Sequence, residues 1–474
     1  MLRIPFPLGS LYVNGQRHKL FDSVQRVFYS RRSKDVPFVP CEGHVQVFPA
    51  SAQTGHMRVM AFDPRSIVAF AAAIDFSSAE VVCLAIFVVA CLIMFYALFG
   101  YPLLLDWLAR RSENPVHKDD KLRSVSFVIA VYNGEKFLER KLRTIFAQNY
   151  PRDLMEILVI SDGSTDRTDE IARSFASEGV KFLRVPRGGK AAALNAGVPL
   201  VSGEILVLND VRQTLDADCL RNVIACFGDP KVGAVSPETI IVQGETHEET
   251  TTSLYWRYES WIRQRLTRID STFGYSGAFA AIRRSLWTPL PPGTLLDDVY
   301  EPLVAFFKGY RILMEPTATM YDFPTVLHSE FRRKVRLQAG LYQMLKIMPE
   351  LLSSRNRMRL HFVSAKYGRI IIPYCMIAIA LTTFGLPPYW RAAAAIGQLL
   401  FYGLALLDTM VPDGAALKQL TSPIRTFVVL MAASLAAVRV FFVQPTSLWK
   451  EASYRPSIAE APVNGPKLPT GSNV

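Results

Sequence analysis

The segment Glu156–Asp166, with the sequence EILVISDGSTD, limits the possible folds of this chain more than any other feature. A short run rich in β-branched residues ends abruptly in a polar turn that contains Asp162 and Gly163, and acidic residues typical of a helix start follow it. In an open α/β sheet, ligands bind outside the carboxyl ends of the strands. Asp162 is therefore predicted at a ligand-binding edge, where its carboxylate can hydrogen-bond a ribose or a base.

The residues around this segment alternate between strand and helix patterns. Between the first two strands, apolar residues recur at helical spacing from Leu138 to Phe146. The alternation predicts an α/β fold with a mostly parallel sheet and helices on both faces. The predicted strands are Val125–Val131, Glu156–Ser161, Val180–Val185 and Ile205–Asn209, followed by a helix over residues 250–268 and a strand over Tyr275–Ile282.

Four apolar segments indicate membrane spans. Val81–Phe99 carries no charge and is long enough to cross about 30 Å of hydrocarbon. The other three are Ile370–Leu386, Ala392–Leu407 and Thr426–Val443, the last of which is interrupted by Arg439. Buried helices of a soluble core are the alternative, and we interpret the chain as an integral membrane protein. The shorter Leu341–Leu352 mixes apolar and polar residues and predicts a helix lying on the membrane surface.

The net charge of +12 does not come from one basic stripe, so we expect no nucleic-acid partner. Lysine and arginine next to membrane spans mark the cytoplasmic side. Both basic clusters flank the central region, which predicts that Lys118–Arg369 is cytoplasmic, with anionic membrane lipids as neighbours. The clusters are Arg110, Arg111, Lys118, Lys121 and Arg123, and Arg355, Arg357, Arg359, Lys366 and Arg369.

Further motifs follow Asp162 in a fixed order. They are GGKAAALNAG (Gly188–Gly197), a strand ending in Asn209-Asp210, LLDD (Leu295–Asp298), and Arg336. Taken together, these motifs resemble the family 2 glycosyltransferases, the inverting enzymes that include cellulose, chitin and hyaluronan synthases. The resemblance runs from Val81 to Val443. It implies a nucleotide-sugar transferase fold of GT-A type, with a mostly parallel sheet, joined to α-helical transmembrane segments.

The resemblance implies a nucleotide-sugar donor, a UDP-sugar, and assigns residues to hold it. Asp162 would hold the nucleotide together with Tyr132 and Glu135. Lys190 would reach a phosphate, because the glycines before it let the backbone approach; a solvated loop lysine is the alternative. The full donor-binding set is Tyr132, Glu135, Asp162, Lys190, Asp210, Arg212 and Arg333.

The metal motif departs from the family pattern, which is Asp-x-Asp after the fourth strand. Here that register gives Asp210-Val211-Arg212, so an arginine replaces the second carboxylate. Asp216 and Asp218 also match Asp-x-Asp, but we interpret them as capping the next helix. The family implies Mg²⁺ or Mn²⁺. Either Asp210 holds the cation with the diphosphate and water, since Mg²⁺ accepts few protein ligands, or Arg212 partly replaces it.

For the catalytic base, Asp298 matches the second carboxylate of the family's acidic pair, here Asp297-Asp298. Capping of the following helix is the alternative for this pair. Arg336 matches the arginine of the Gln-x-x-Arg-Trp motif and would clamp the diphosphate. The glutamine of that motif is Arg333 here and the tryptophan is Leu337, whereas neighbouring Arg332 and Lys334 suit lipid headgroups.

We therefore predict an inverting hexosyltransferase that acts on a polysaccharide or lipid-linked acceptor at the cytoplasmic face of a bacterial inner membrane. An inactive family member serving as a scaffold or export subunit is the alternative. The predicted division is an N-terminal extension that is disordered or precedes a later start (1–65), a transmembrane and juxtamembrane segment (78–110), the transferase domain (118–340), interfacial helices (341–365), transmembrane helices (366–445) and a tail (446–474).

Overall fold

The computed structural model describes residues 77–112, 114–241, 247–322, 327–412 and 415–443, with the backbone alone for 247–255 and 327–330. It also describes a short antiparallel ladder between Tyr12–Val13 and Gln16–Arg17. Apart from those two strands, the predicted N-terminal extension (1–65) lies outside the described residues, as does the predicted tail (446–474).

An eight-stranded mixed sheet forms the centre of the catalytic region. Its order is β3-β2-β1-β4-β7-β6-β8-β5; the first four strands are parallel, and β7 runs antiparallel to both of its neighbours. The strands are β1 (Val125–Val131), β2 (Met155–Asp162), β3 (Val180–Val185), β4 (Ile205–Asn209), β5 (Thr214–Leu215), β6 (Val232–Ile241), β7 (Phe279–Arg283) and β8 (Arg311–Asp322).

The four predicted parallel strands are confirmed, three of them with the predicted bounds and β2 with one more residue at each end. The strand predicted over Tyr275–Ile282 begins later, at Phe279. The chain turns just before it, where the Phe279 amide donates to the Ser276 carbonyl at 3.1 Å.

Helices cover both faces of this sheet, as the alternation of elements predicts. Successive side chains of a strand point to opposite faces, so Phe127 and Ile129 pack with Leu142 in one hydrophobic core, whereas Val128 packs with Leu194 in the other. The helices are α1 (Ser78–Arg111), α2 (Leu138–Phe146), α3 (Thr168–Ser174), α4 (Lys190–Gly197), α5 (Cys219–Ala225), α6 (His247–Ile269), α7 (Asp297–Phe307), α8 (Leu327–Ile347), α9 (Arg359–Thr383), α10 (Pro388–Leu407) and α11 (Lys418–Phe441).

Among the described residues, four helices are long and apolar enough to cross a membrane: α1, α9, α10 and α11. Each predicted span overlaps one of these helices: Val81–Phe99 and Ala392–Leu407 lie wholly within α1 and α10, whereas Ile370–Leu386 and Thr426–Val443 extend a few residues past the ends of α9 and α11. Only 11% of the apolar stretch of α1 and 6% of that of α10 is buried inside the protein. Apolar surface of this extent requires an apolar environment outside the chain, which agrees with membrane association.

The predicted interfacial helix over Leu341–Leu352 is not a separate element. Helix α8 begins at Leu327 and runs through the predicted start, and a short turn of helix over Pro349–Leu352 follows it. Met344 and Leu351 of this region are fully buried in the same core as the sheet, although Leu352 is exposed. Their apolar face therefore packs against protein.

Several basic residues predicted to face lipid headgroups instead pair with carboxylates of the protein. The Arg369 guanidinium pairs with Glu259 of α6, and the Lys118 amine lies 2.8 Å from Glu315. A further ion pair, 3.0 Å between Arg265 and Asp106, joins α6 to α1. The pairs made by Arg369 and by Asp106 attach the apolar helices α9 and α1 to the catalytic region.

Candidate active site

Parallel strands β1, β2 and β4 end at the same edge of the sheet, and the loops that follow them form one cluster. The loop after β1 is fixed by the loop after β2. The Asn133 side chain accepts the Thr165 amide at 2.9 Å, and the Gly134 amide donates to the Thr168 hydroxyl at 2.8 Å. The Glu135 carboxylate accepts the Arg167 amide at 3.1 Å. Glu135 thus stabilises the contact between the loops after β1 and β2. Its role in binding a nucleotide stays a prediction.

Asp162 ends β2 and is almost fully buried. Its carboxylate accepts the Gly188 amide at 2.7 Å and the Gly189 amide at 2.9 Å. Gly189 has a φ of +85°, a conformation that favours glycine. Asp162 also pairs with Arg187, whose guanidinium lies 3.5 Å from the centroid of the Tyr132 ring. Sequence reasoning assigned Asp162 and Tyr132 to this site but missed Arg187.

Lys190 joins two carboxylates that are far apart in the sequence. Its amine lies 2.9 Å from Asp210, 2.9 Å from Asp297 and 3.2 Å from the Gly277 carbonyl. Burial alone would lower the pKa of Lys190, but the two carboxylates more than offset burial and hold the pKa above its ordinary value. The alternative of a solvated loop lysine is therefore not observed. The structure brings together Lys190, Asp210 and Asp297 as one charged cluster.

Asp298 follows Asp297 at the start of α7 but has a different environment. Its carboxylate oxygen lies 3.2 Å from the position that a Cβ on Gly277 would occupy, so the glycine makes room for it. No described residue forms a hydrogen bond or ion pair with this carboxylate. Burial and the negative charge of Asp297 raise the pKa of Asp298 to about 6, although Lys190 and Arg336 act in the opposite direction. Asp298 can therefore accept a proton near neutral pH.

A buried pair next to this base was not predicted. The Tyr275 hydroxyl donates to Glu301 at 2.6 Å, and the Tyr275 amide donates to the Asp298 carbonyl at 3.0 Å. Burial raises the pKa of Glu301 well above its ordinary value, and the hydrogen bond from Tyr275 offsets this only in part. The pair ties the loop before β7 to helix α7, which carries the base.

Of the two arginines predicted on α8, Arg336 is the one whose charge acts on the acidic pair. Burial lowers its pKa, and Asp298 and Asp297 partly offset that effect. Arg333 instead lies over the ring of Trp256 on α6, 4.7 Å from its centroid. The structure thus brings Arg336 to the acidic pair and directs Arg333 to an aromatic side chain.

Arg212, which replaces the second carboxylate of the metal motif, pairs with Asp322 at the end of β8. The Gln213 side chain donates to the same carboxylate at 3.0 Å. Sequence reasoning missed Asp322, which is 110 residues from its partner. In this arrangement a carboxylate of the protein already neutralises the Arg212 charge.

The rejected pair Asp216 and Asp218 lies beyond β5, at the start of α5. The prediction that both cap this helix is wrong for Asp218, which precedes α5 but makes no capping hydrogen bond with its side chain. Its carboxylate instead accepts the Asn149 side chain at 2.7 Å. Asp216 accepts the Asp218 amide at 3.2 Å, a local contact.

Within the described ranges, no group of three or more His, Cys, Asp or Glu side chains could hold a metal ion. Asp210 has a side chain that is 40% exposed, so one carboxylate is available at the edge of the sheet. Mg²⁺ is commonly held by one or two carboxylates together with substrate phosphates. The described residues therefore fit a divalent cation only in one way. Asp210 would be its single carboxylate ligand, and phosphate oxygens of the donor would complete the site.

Comparison with known proteins identifies similar glycosyltransferases. Residues 126–288 match the family model described as glycosyl transferase family 2. A poly-β-1,6-N-acetyl-D-glucosamine synthase from Staphylococcus aureus is 27% identical over 235 residues, which are 48% of this chain and 56% of that protein. A β-monoglucosyldiacylglycerol synthase from Nostoc is 29% identical over 166 residues, 34% of this chain and 36% of that protein. The chain thus spans about half the length of the first of these curated relatives, and less of the second.

Among solved structures, a mannosyltransferase from Pyrobaculum calidifontis, in complex with GDP-Man and Mn²⁺, has the same fold. The TM-score is 0.60 with 24% identity, and the match covers 75% of this chain and 99% of that one. At this sequence identity, the similarity between the two structures concerns the fold alone. It confirms the predicted α/β fold of GT-A type, with the apolar helices added to it.

Proposed function

We propose that this family 2 glycosyltransferase moves a sugar from a nucleotide-diphosphate donor, a UDP-sugar, to a polysaccharide or lipid-linked acceptor with inversion at the anomeric carbon. One observation carries the proposal: the buried Lys190 amine lies 2.9 Å from both Asp210 and Asp297, next to an acidic residue with a raised pKa, Asp298. Lys190 supplies a positive charge, Asp210 and Asp297 supply carboxylates, and Asp298 supplies a base. The reaction needs groups of these three kinds.

In this mechanism Asp298 acts as the general base. The acceptor hydroxyl gives its proton to the Asp298 carboxylate while its oxygen bonds to the anomeric carbon of the donor. The bond from that carbon to the diphosphate oxygen breaks, and the nucleoside diphosphate leaves with the electron pair. Attack opposite to the leaving group inverts the configuration. A Cβ at Gly277 would lie 3.2 Å from an Asp298 carboxylate oxygen, so glycine at this position keeps the base uncrowded.

The negative charge that develops on the departing diphosphate needs fixed positive groups. Lys190 stays charged between two carboxylates, and Arg336 lies near the acidic pair. Asp210 would hold Mg²⁺ or Mn²⁺ together with phosphate oxygens of the donor. When bound, the cation would neutralise the leaving group and orient it. Asp162 and Tyr132 would hold the nucleobase.

The residues of the site indicate the class of acceptor less directly than they indicate the donor and the base. The curated relatives include a synthase named for a polysaccharide and one named for a glycolipid, so both acceptor classes are proposed. Leu337 replaces the tryptophan that stacks on the acceptor in processive members, which favours a short or lipid-linked product as much as a long polymer. Sizing the product on a gel separates these outcomes, since a high-molecular-weight ladder would exclude the short product.

We propose that the reaction takes place at the cytoplasmic face of a bacterial inner membrane. Basic residues flank the catalytic region beside α1 and α9, as expected for a cytoplasmic domain. The rival function is an inactive scaffold or export subunit, which the incomplete metal motif favours. Asp298 argues against it, because a raised carboxylate pKa beside a charged cluster is typical of a reactive site.

The purified protein in detergent should be screened with a panel of UDP- and GDP-sugars, with release of the nucleotide as the readout. We expect release from at least one donor in Mg²⁺ or Mn²⁺. The matched control is Asp298→Asn, which keeps the shape of the side chain and should lower turnover by about 10²–10⁴-fold. Neither release nor binding with any donor would favour the scaffold.

A further inference from the structure

Arg187 makes two contacts that the proposed reaction does not use. Its guanidinium lies 3.5 Å from the centroid of the Tyr132 ring and forms an ion pair with Asp162. These two partners are the residues proposed to hold the nucleobase. The Arg187 side chain comes from the loop after β3 and is 52% exposed, so it enters the site from the solvent side.

Three N–H donors already occupy the two oxygens of the Asp162 carboxylate. An ionised carboxylate has about four acceptor sites on its two oxygens. The Gly188 amide donates to Oδ1 at 2.7 Å, the Gly189 amide reaches both oxygens at 3.2 and 2.9 Å, and Arg187 takes Oδ2. The Asp162 side chain is only 3% exposed. A base cannot pair with this carboxylate while Arg187 remains in place.

The guanidinium offers the same interactions as a nucleobase. It is planar, it stacks on an aromatic ring, and it donates N–H groups to a carboxylate. Uracil and guanine combine a flat ring with a ring N–H in the same way. The two backbone amides that also bind Asp162 belong to the loop itself and stay when the side chain leaves. Arg187 is therefore the part of this arrangement that a nucleotide would replace.

We propose that Arg187 occupies the nucleobase subsite of the donor-free enzyme and so sets its affinity for nucleotides. The inference rests on the proposed function, because it takes Tyr132 and Asp162 as the nucleobase site. Apparent affinity falls in proportion to the fraction of protein that is competent to bind. A subsite that is free one-tenth of the time binds about tenfold more weakly, and by the same factor for every nucleotide.

The test measures binding of UDP and of GDP to the full-length protein in detergent by calorimetry. Arg187→Ala should bind both nucleotides more tightly, by about tenfold and by the same factor for each. Arg173→Ala is the matched control, since Arg173 lies over the Phe182 ring at 4.8 Å but contacts neither Tyr132 nor Asp162. It should bind both nucleotides like the wild type. Circular dichroism and thermal unfolding verify that each variant is folded.

Weaker binding of either nucleotide by Arg187→Ala would show that Arg187 is a direct ligand and would overturn the proposal. Unchanged binding, or a gain for one nucleotide only, would overturn it as well. Failure of the proposed function looks different. In that case neither the wild type nor the folded Arg187→Ala variant binds any nucleotide, and the inference falls with it.

Discussion

At the scale of single residues, Asp297 and Asp298 are adjacent in the chain but have different surroundings. Asp297 accepts the Lys190 amine at 2.9 Å, whereas Asp298 faces Gly277 and has its pKa raised to about 6. Neighbouring titratable groups whose environments differ divide acid and base roles between them. Asp297 is thus suited to hold the lysine and Asp298 to accept the proton.

A pH profile tests this division. A general base works in its ionised form, so we expect kcat to rise with pH through about 6 and to level off above it. Nucleotide release should be measured with the donor saturating at each pH. The Asp298→Asn variant should still bind UDP like the wild type. A wild-type rate that stays constant as the pH falls through about 6 would exclude Asp298 as the base.

Glu301 is expected to be neutral in the folded protein, because its pKa is raised well above its ordinary value. The folded state then binds this proton more tightly than the unfolded chain does. The contribution of Glu301 to the free energy of unfolding therefore falls as the pH rises above the ordinary carboxyl range. Glu301→Gln should remove this loss while still accepting the Tyr275 hydroxyl. Glu301→Ala leaves that hydroxyl unpaired and should cost about 1–3 kcal/mol.

Thermal unfolding in detergent at acidic and at neutral pH measures both variants. At neutral pH we expect Glu301→Gln to be at least as stable as the wild type and Glu301→Ala to be less stable. If the glutamine and the alanine destabilise the protein equally at neutral pH, Glu301 is ionised and the account of this pair is wrong.

The sequence predicted those site residues whose position follows from a local pattern. Asp162 ends a strand, Asp210 directly follows one, and Lys190 and Asp298 stand at helix starts. Arg187 was missed although it directly precedes the predicted glycines, because nothing local distinguishes it from a solvated loop arginine. Asp322 was missed because its partner Arg212 is 110 residues away, and only the order of strands brings them together. A contact between residues so far apart in the chain depends on the order of strands in the sheet, which no local pattern shows.

At the scale of secondary-structure elements, the position at which β4 ends determines which aspartate lies at the proposed donor site. This strand ends at Asn209, so Asp210 lies at the carboxyl edge, whereas Asp216 and Asp218 lie beyond β5. Strand ends were predictable because buried β-branched runs stop at polar turns. The sequence did not show that helix α8 continues past Leu341, where a separate interfacial helix was predicted to begin. The apolar pattern of α8 continues across that position, and its apolar residues pack against protein rather than lipid.

The metal prediction follows from that difference between elements. Asp210→Ala should abolish turnover and the binding of Mn²⁺ in the presence of UDP, because the proposed site has one carboxylate from the protein. Asp216→Ala should keep turnover, and Asp218→Ala should lose only the hydrogen bond to Asn149, at a cost of about 1 kcal/mol. Mn²⁺ binding is measured by electron paramagnetic resonance, independently of activity. Full activity in EDTA, or loss of turnover in folded Asp216→Ala, would contradict this assignment.

At the scale of the whole molecule, the catalytic sheet and the four apolar helices belong to one compact unit. Ion pairs link them, with Arg369 of α9 on Glu259 and Arg265 on Asp106 of α1. The membrane helices were predictable from composition, because long uncharged apolar stretches are conspicuous in any sequence. Their attachment was not predictable, since basic residues beside a span suit lipid headgroups and protein carboxylates equally well.

The central claim is that this chain is an inverting transferase with Asp298 as its base. It is tested most directly by nuclear magnetic resonance of the product made from an α-linked UDP-sugar that the wild type turns over. The account predicts a β-linkage at the anomeric carbon of the transferred sugar, and formation of this product by Asp298→Asn that is slower by about 10²–10⁴-fold at equal protein and nucleotide binding. An α-linked product, or the same β-linked product formed at the wild-type rate by Asp298→Asn, would contradict it.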